Sequence, residues 1–183
     1  MRLEPFAAGD VPAVAELHAR ARPRTAWSSQ EARARYFREA LLENPWADPE
    51  LPSLVAKDGE RVVGFFGVVP RRMRFGERRL RVAVGCQFMV DPQERNGLVA
   101  LRLMRAFLGG RQDVSVADWA TEASRSLWLA AGGSASVLQE QQWMLLLRPV
   151  QSLWQHAMRA RPVVAALGAP LAALADACAS PLL

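Results

Sequence analysis

The chain has 183 residues, of which 51% are hydrophobic and 22% charged, with a formal net charge of +5. This is long enough for one domain with a substantial core, and the composition excludes a disordered tail. Lys57 is the only lysine, so arginine carries the positive charge. The planar arginine fork suits phosphate, which fits a nucleotide-bearing ligand or nucleic acid, although a GC-rich coding bias accounts for the same composition. Cys86 lies inside an apolar run and Cys178 near the C-terminus, with no CxxC pair and no Cys/His spacing for zinc, so no metal is expected. The N-terminus has no signal pattern, because Asp10 arrives before a hydrophobic stretch can form. A reducing cytoplasm is the expected setting.

Arg2 to Phe6 predicts a short strand, and Asp10 is placed to cap a helix carrying Val11, Val14, Leu17 and His18 on one side. Ser28 and Glu31 have capping-box spacing before Ala32, Tyr36, Phe37, Ala40 and Leu41, which predicts a second helix stopped by Asn44-Pro45. Leu54 to Ala56, the turn signal Asp58-Gly59 and Val62 to Val69 predict an antiparallel pair, closed by Pro70. Phe75-Gly76-Glu77 is a further turn into a long strand, Leu80 to Val90, whose C-terminal half is apolar enough to be central. Gly97 to Leu108 predicts a helix stopped by Gly109-Gly110. Val114 to Ala117 predicts a short strand, Thr121 to Ala131 a helix ending at Gly132-Gly133, and Val137 to Leu147 one or two more strands. This order is neither doubly wound nor a barrel. It predicts an α/β (α+β) domain with a mixed, mostly antiparallel central sheet flanked by helices.

Val90-Asp91-Pro92, then Arg95-Asn96-Gly97-Leu98-Val99-Ala100 and a leucine-rich helix, is similar to the V-x-P strand exit and Q/R-x-x-G-x-G/A turn of the GNAT superfamily, the acyl-CoA-dependent N-acyltransferases. The element order over residues 1 to 148 resembles the same family. Read without a gap, Arg95 takes the first motif position, Leu98 the central glycine position and Ala100 the last, so the motif is degraded at its centre. A one-residue deletion puts Gly97 at the centre instead, with Glu94 first and Val99 last, at the cost of two mismatches and a gap. Such a turn offers backbone N–H groups and the positive end of a helix dipole to a pyrophosphate. Residues 121 to 132 are similar to the family's N-x-x-A-x-x-L-Y-x-x-x-G helix, with Thr121 at the asparagine, Ser124 at the alanine and Trp128 at the tyrosine that often protonates the departing thiolate. An indole cannot do that acid chemistry, and Trp128 either packs along the cofactor or belongs to the core.

The resemblance implies transfer of an acetyl or other acyl group from acetyl-CoA, or another acyl-CoA, to an amine on a small molecule or peptide. Backbone N–H groups around Phe88, Met89 and Val90 would meet the pantetheine chain and the developing oxyanion. Residues 95 to 100, with Thr121 and Trp128, would hold the cofactor. Asp118 and Glu122 are the carboxylates nearest the expected cleft and the candidate general bases, although each also reads as a helix cap or first-turn charge. Leu98, Trp128 and the lack of an evident base keep a second possibility open, a catalytically degenerate domain of this fold that serves binding or assembly.

Cys86 reads as a small buried hydrophobe rather than a nucleophile. The arginines at 71, 72, 74, 78, 79 and 81 surround a predicted hairpin tip, where a solvated tip is favoured over nucleic-acid binding because only Phe75 interleaves as an aromatic. Residues 149–183 form an Ala/Leu-rich extension in which Pro162, Gly168, Pro170, Asp176 and Pro181 interrupt any membrane span. A helix there is expected to pack on this domain, on a second copy in a homodimer, or on a further domain, and the apolar ending at 180–183 suits a chain cut from a longer one.

Overall fold

The computed structural model describes residues 1–23, 25, 27, 29–94, 97–117, 120–136, 150, 153–154 and 168–175. The chain divides into two units, 1–135 and 136–183. In the second, residues 168–175 are helical, with Ala172 buried and Leu171 and Leu174 exposed. The strands expected over 137–147 and the boundary expected after 148 lie outside the described residues.

In the first unit, β1 (Arg2–Pro5), β2 (Leu54–Asp58), β3 (Arg61–Phe75), β4 (Arg78–Val90) and β5 (Val114–Ala117) form one sheet in that spatial order. Every neighbouring pair is antiparallel except β4 and β5, which are parallel. The helices are α1 (Val11–Ala21), α2 (Gln30–Phe37), α3 (Leu98–Leu108) and α4 (Glu122–Ala130). The mixed, mostly antiparallel sheet with flanking helices is the architecture the sequence predicts.

Four local expectations need correction. Asp10 occupies the N-cap position of α1 without capping it: its Oδ2 accepts the Ala7 N–H at 3.0 Å, and its Oδ1 lies 2.8 Å from Lys57 Nζ. The cap of α2 is Ser29, whose Oγ accepts the Ala32 N–H at 3.1 Å, while Ser28 is outside the described residues. The apolar run after α2 continues as a π-helical stretch, Arg38–Leu42, before Asn44-Pro45 stops it. Finally, Pro70 does not close β3. Pairing with β2 ends at Phe66, so beyond it β3 has only β4 as a neighbour, and a missing N–H on the open side costs no ladder bond.

Both faces of the sheet are covered, which is why β3 is buried continuously from Val62 to Val68. On one face α1, α2 and the stretch after α2 bury Val11, Val14, Leu17, Phe37 and Leu41 against Val55, Phe65 and Met89. On the other, α3 buries Val99, Leu103, Met104 and Phe107 against Ala56, Val63, Phe66, Val68 and Ala83. Gly64 permits the close crossing of α3, since a Cβ there would stand 2.7 Å from Val99 Cγ1 and 2.8 Å from Leu103 Cδ1. Residues 71–75 and 78–81 extend as a hairpin tip, exposed from 71 to 79, and three of its six arginines meet acidic groups: Arg74 meets Glu77, Arg78 meets Asp113, and Arg81 meets Asp48 and Glu50.

Candidate functional site

The site is built around the end of β4. Among the described residues its pairing with β5 ends at Gly85 and Ala117, while β4 runs on to Val90. Within this stretch Phe66 of β3 faces both Gln87 and Phe88, a β-bulge with one extra residue on β4. Gln87 adopts φ +49°, the one left-handed non-glycine among the described residues. The Asp91 N–H bonds the Val63 carbonyl at 2.9 Å, so strand alternation also turns the Met89 N–H towards β3 and those of Phe88 and Val90 away from it.

Asp91 fixes the exit from the strand. With Pro92 as the second residue, a turn closes through the Glu94 N–H and the Asp91 carbonyl at 2.9 Å, while Asp91 Oδ1 accepts the Gln93 N–H at 3.0 Å. The carboxylate is 2% exposed, and its Oδ2 meets Arg20 of α1 at 3.0 Å and Arg61 of β3 at 3.1 Å. Burial alone would raise the carboxyl pKa; the Gln93 amide and the two guanidinium groups outweigh it and hold the group below its ordinary range.

Arg95 and Asn96 lie outside the described residues. Gly97 follows them at the N-cap of α3 with φ +66°, a conformation that favours glycine, and a Cβ there would meet nothing within 4 Å. The first helical bond runs from the Leu101 N–H to the Gly97 carbonyl, so the amides of Val99 and Ala100 precede it at the positive end of the helix. Leu98 is 57% exposed beside them, while Val99 is buried under the sheet. The amides at this helix start are a place where an anion can be met, and the Leu98 side chain stands next to them.

On the same face, Phe88, Val90 and Trp128 pack against the cluster that holds Val99. An aromatic chain connects them, from Phe88 to Phe66 (5.1 Å), Phe66 to Phe107 (4.4 Å, stacked) and Phe107 to Trp128 (6.2 Å). The Trp128 indole N–H donates to the Ser134 carbonyl at 2.9 Å. Thr121 caps α4 by accepting the Ser124 N–H at 3.2 Å. Glu122 is exposed in the first turn of α4, and Asp118 lies outside the described residues. Met89 is buried on the opposite face, so Phe88, Val90, Val99 and Trp128 gather while Met89 contributes main chain alone.

That opposite face carries residues that sequence spacing did not single out. Gln87 Nε2 donates to the Tyr36 hydroxyl at 3.1 Å, and Arg22 Nη2 donates to the Phe88 carbonyl at 3.4 Å. Tyr36 sits among rings, 5.2 Å from Trp27 and 5.3 Å from Phe37. His18 packs edge-on against Trp27 and Phe37 at 2% exposure; burial, then Arg33 and Arg22, push its imidazole below the ordinary value. The signal available in sequence was slight: Asp91-Pro92-Gln93 is an Asx-turn pattern, and Tyr36 is the only tyrosine. A cavity of about 220 Å³ elsewhere is lined by Phe6, Leu41, Leu51, Ser53 and Pro70 and by no residue of β4 or α3. Among the described residues no group of side chains could hold a metal ion, and no helix is long and apolar enough to cross a membrane.

Comparison with known proteins gives the geometry its place. No curated protein matches significantly. Among solved structures, a transcriptional regulator of Bacillus halodurans matches at 16% identity, over 79% of this chain and 97% of its own, with a TM-score of 0.58. A predicted acetyltransferase of Clostridium acetobutylicum, solved with acetyl-CoA, matches at 13% identity over 79% and 94%, with a TM-score of 0.56. An aminoglycoside 6'-N-acetyltransferase of Acinetobacter haemolyticus, solved without ligand, matches at 16% over 80% and 97%, with a TM-score of 0.54. These likenesses show a shared fold. The family model described as the acetyltransferase (GNAT) domain matches residues 2–117, which take in all five strands and the turn into α3. The chain belongs to the GNAT acetyltransferase family.

Proposed function

We propose that this chain is an N-acyltransferase that moves an acetyl or other acyl group from acyl-CoA to an amine on a small molecule or peptide. The observation that carries the reading is the end of β4: a bulged strand that runs on past its last described pair with β5 and leads, through one anchored turn, to an open helix N-terminus. In this reading the amides at the start of α3, with Arg95 and Asn96, hold the pyrophosphate, and the N–H groups of Phe88 and Val90 face the thioester. Trp128 and Thr121 line the cofactor side, and Asp118 and Glu122 remain the candidate bases. The neighbour solved with acetyl-CoA supports acetyl-CoA as the first ligand to try. CoA or acetyl-CoA at about 100 times its dissociation constant should stabilise the protein by roughly 2.7 kcal/mol, read as a rise in Tm. No rise at millimolar CoA sinks the proposal.

Two features favour a second reading, a module that binds or assembles without catalysis. Read without a gap, Leu98 takes the central glycine position of the turn, and the Trp128 N–H is engaged by Ser134. Stabilisation by CoA without release of thiol from acetyl-CoA, with any amine offered, selects this reading over the first.

A further inference from the structure

The acyl-transfer reading leaves one proton without a carrier. Trp128 takes the place of the family's acid, and its single donor points at Ser134. The chain's only tyrosine, Tyr36, lies elsewhere, on α2, yet the fold brings its hydroxyl to the β4 bulge. We propose that Tyr36, positioned by Gln87, is the proton donor to the leaving thiolate, an inference that rests on the acyl-transfer reading.

Three features of the bulge support it. Cys86 and Met89 pack on the α1 and α2 side, whereas Phe88 and Val90 pack on the α3 side. The extra residue breaks simple alternation and turns Gln87 to the α2 side, next to Cys86, where its amide reaches Tyr36. Gln87 also holds a left-handed φ of +49°, a conformation uncommon for residues with a Cβ and concentrated where surroundings enforce it. With Gln87 Nε2 as the donor, the phenol oxygen accepts and the phenol proton is left for another group. Gln87 lies two positions past the last described β4–β5 pair. Rings at 5.2 and 5.3 Å hold the phenol in place.

The step balances without another reactant. The amine nitrogen attacks the thioester carbonyl carbon, the C–N bond forms, and the C–S bond breaks with its electron pair on sulfur. Tyr36 gives its proton to the sulfur, and the proton lost by the amine nitrogen, passed through water, restores the phenol. The products are the amide and the CoA thiol.

A single tyrosine makes the test self-assigning, because protein labelled with 13Cζ-tyrosine gives one resonance. Wild type, Tyr36→Phe and Gln87→Glu are compared by thermal shift with acetyl-CoA, by that resonance where the tyrosine is present, and by thiol release from acetyl-CoA to water or to a panel of primary amines. In Gln87→Glu a carboxylate would accept a hydrogen bond from the phenol O–H and so occupy its proton. Both variants should keep the acetyl-CoA stabilisation and lose at least about tenfold in kcat, with KM for acetyl-CoA within about twofold. The wild-type resonance should move when acetyl-CoA is added, and the alkaline limb of the kcat profile should disappear in Tyr36→Phe. If acetyl-CoA stabilises the protein but the resonance stays still and Tyr36→Phe releases thiol at the wild-type rate with an unchanged pH profile, the tyrosine role is overturned and the acyl-transfer reading stands. If acetyl-CoA stabilises neither wild type nor variant, the reading itself fails and takes the tyrosine role with it.

Discussion

On the α3 side of β4 the candidate site is made of main chain: the amides of Phe88 and Val90 at the end of the strand and those of Val99 and Ala100 at the helix start. On the α1–α2 side it is made of side chains drawn from distant parts of the sequence, Gln87 with Tyr36, Arg22 with the Phe88 carbonyl, and Arg20 with Asp91. A main-chain site tolerates substitution as long as the backbone keeps its course, so Leu98 and Trp128 can replace motif residues while the fold persists. A side-chain site tolerates little, because each group answers one partner. The first side is therefore where the family is readable, and the second is where the proposed proton donor lies.

The largest effect should come from the residue that ties the two sides together. Asp91→Ala removes the partner of Arg20 and Arg61 and of the Gln93 amide. Loss of a buried, hydrogen-bonded carboxylate is strongly destabilising, but both arginines are partly exposed and recover solvent, so about 2–3 kcal/mol in denaturant unfolding is expected. Its pH signature has a definite sign. The native carboxyl is held low, so its stabilisation is complete above the ordinary carboxylate value and disappears as pH falls through the depressed native value. The variant should lose that part of the acid sensitivity; an acid limb equal to wild type contradicts the anchoring role.

Gly64→Ala separates the sides from within the sheet. The new methyl has to displace Val99 and Leu103 of α3 and should cost about 1–3 kcal/mol. It should also weaken CoA stabilisation, since Val99 lies in the first turn of that helix, while leaving the environment of Tyr36, on the other face, as it was. A tyrosine resonance that moved with this substitution would show the two sides to be coupled.

These residues also show what the sequence made legible. The strand-turn-helix from Phe88 to Leu108 was readable because its elements are adjacent in sequence and backbone binding leaves a pattern of spacing. Pro70 misled, since whether it ends a strand depends on how far β2 runs alongside, a tertiary fact. The Tyr36–Gln87 contact spans 51 positions and depends on one inserted residue in β4, which no hydrophobic period records. Asp91 was visible as part of a strand exit, but its two arginine partners come from α1 and β3.

His18 offers a smaller and more selective test of the side-chain face. Burial, Arg33 and Arg22 lower its pKa, so the native state resists the proton that the unfolded chain accepts near pH 6.5. Stability should fall as pH drops below that value towards the native one, and Tm measured from pH 7 to pH 5 should decline less in His18→Phe than in wild type. Equal declines remove His18 from the account.

The smallest effect on stability, and the sharpest on the comparison, belongs to Leu98→Gly. Leu98 is more than half exposed at the first position of α3, so truncating it removes little buried surface, and the lost helix propensity should lower the ligand-free stability by at most about 1 kcal/mol. If the gapless register is correct, the glycine clears bulk beside the amides of Val99 and Ala100, and the rise in Tm on adding CoA should exceed that of wild type. If CoA binds equally or more weakly, the register fails, and Gly97, already left-handed and open at the helix cap, becomes the glycine around which the cofactor turn must be read. In that event the α3 side is intact, and Leu98 ceases to argue for a degenerate domain.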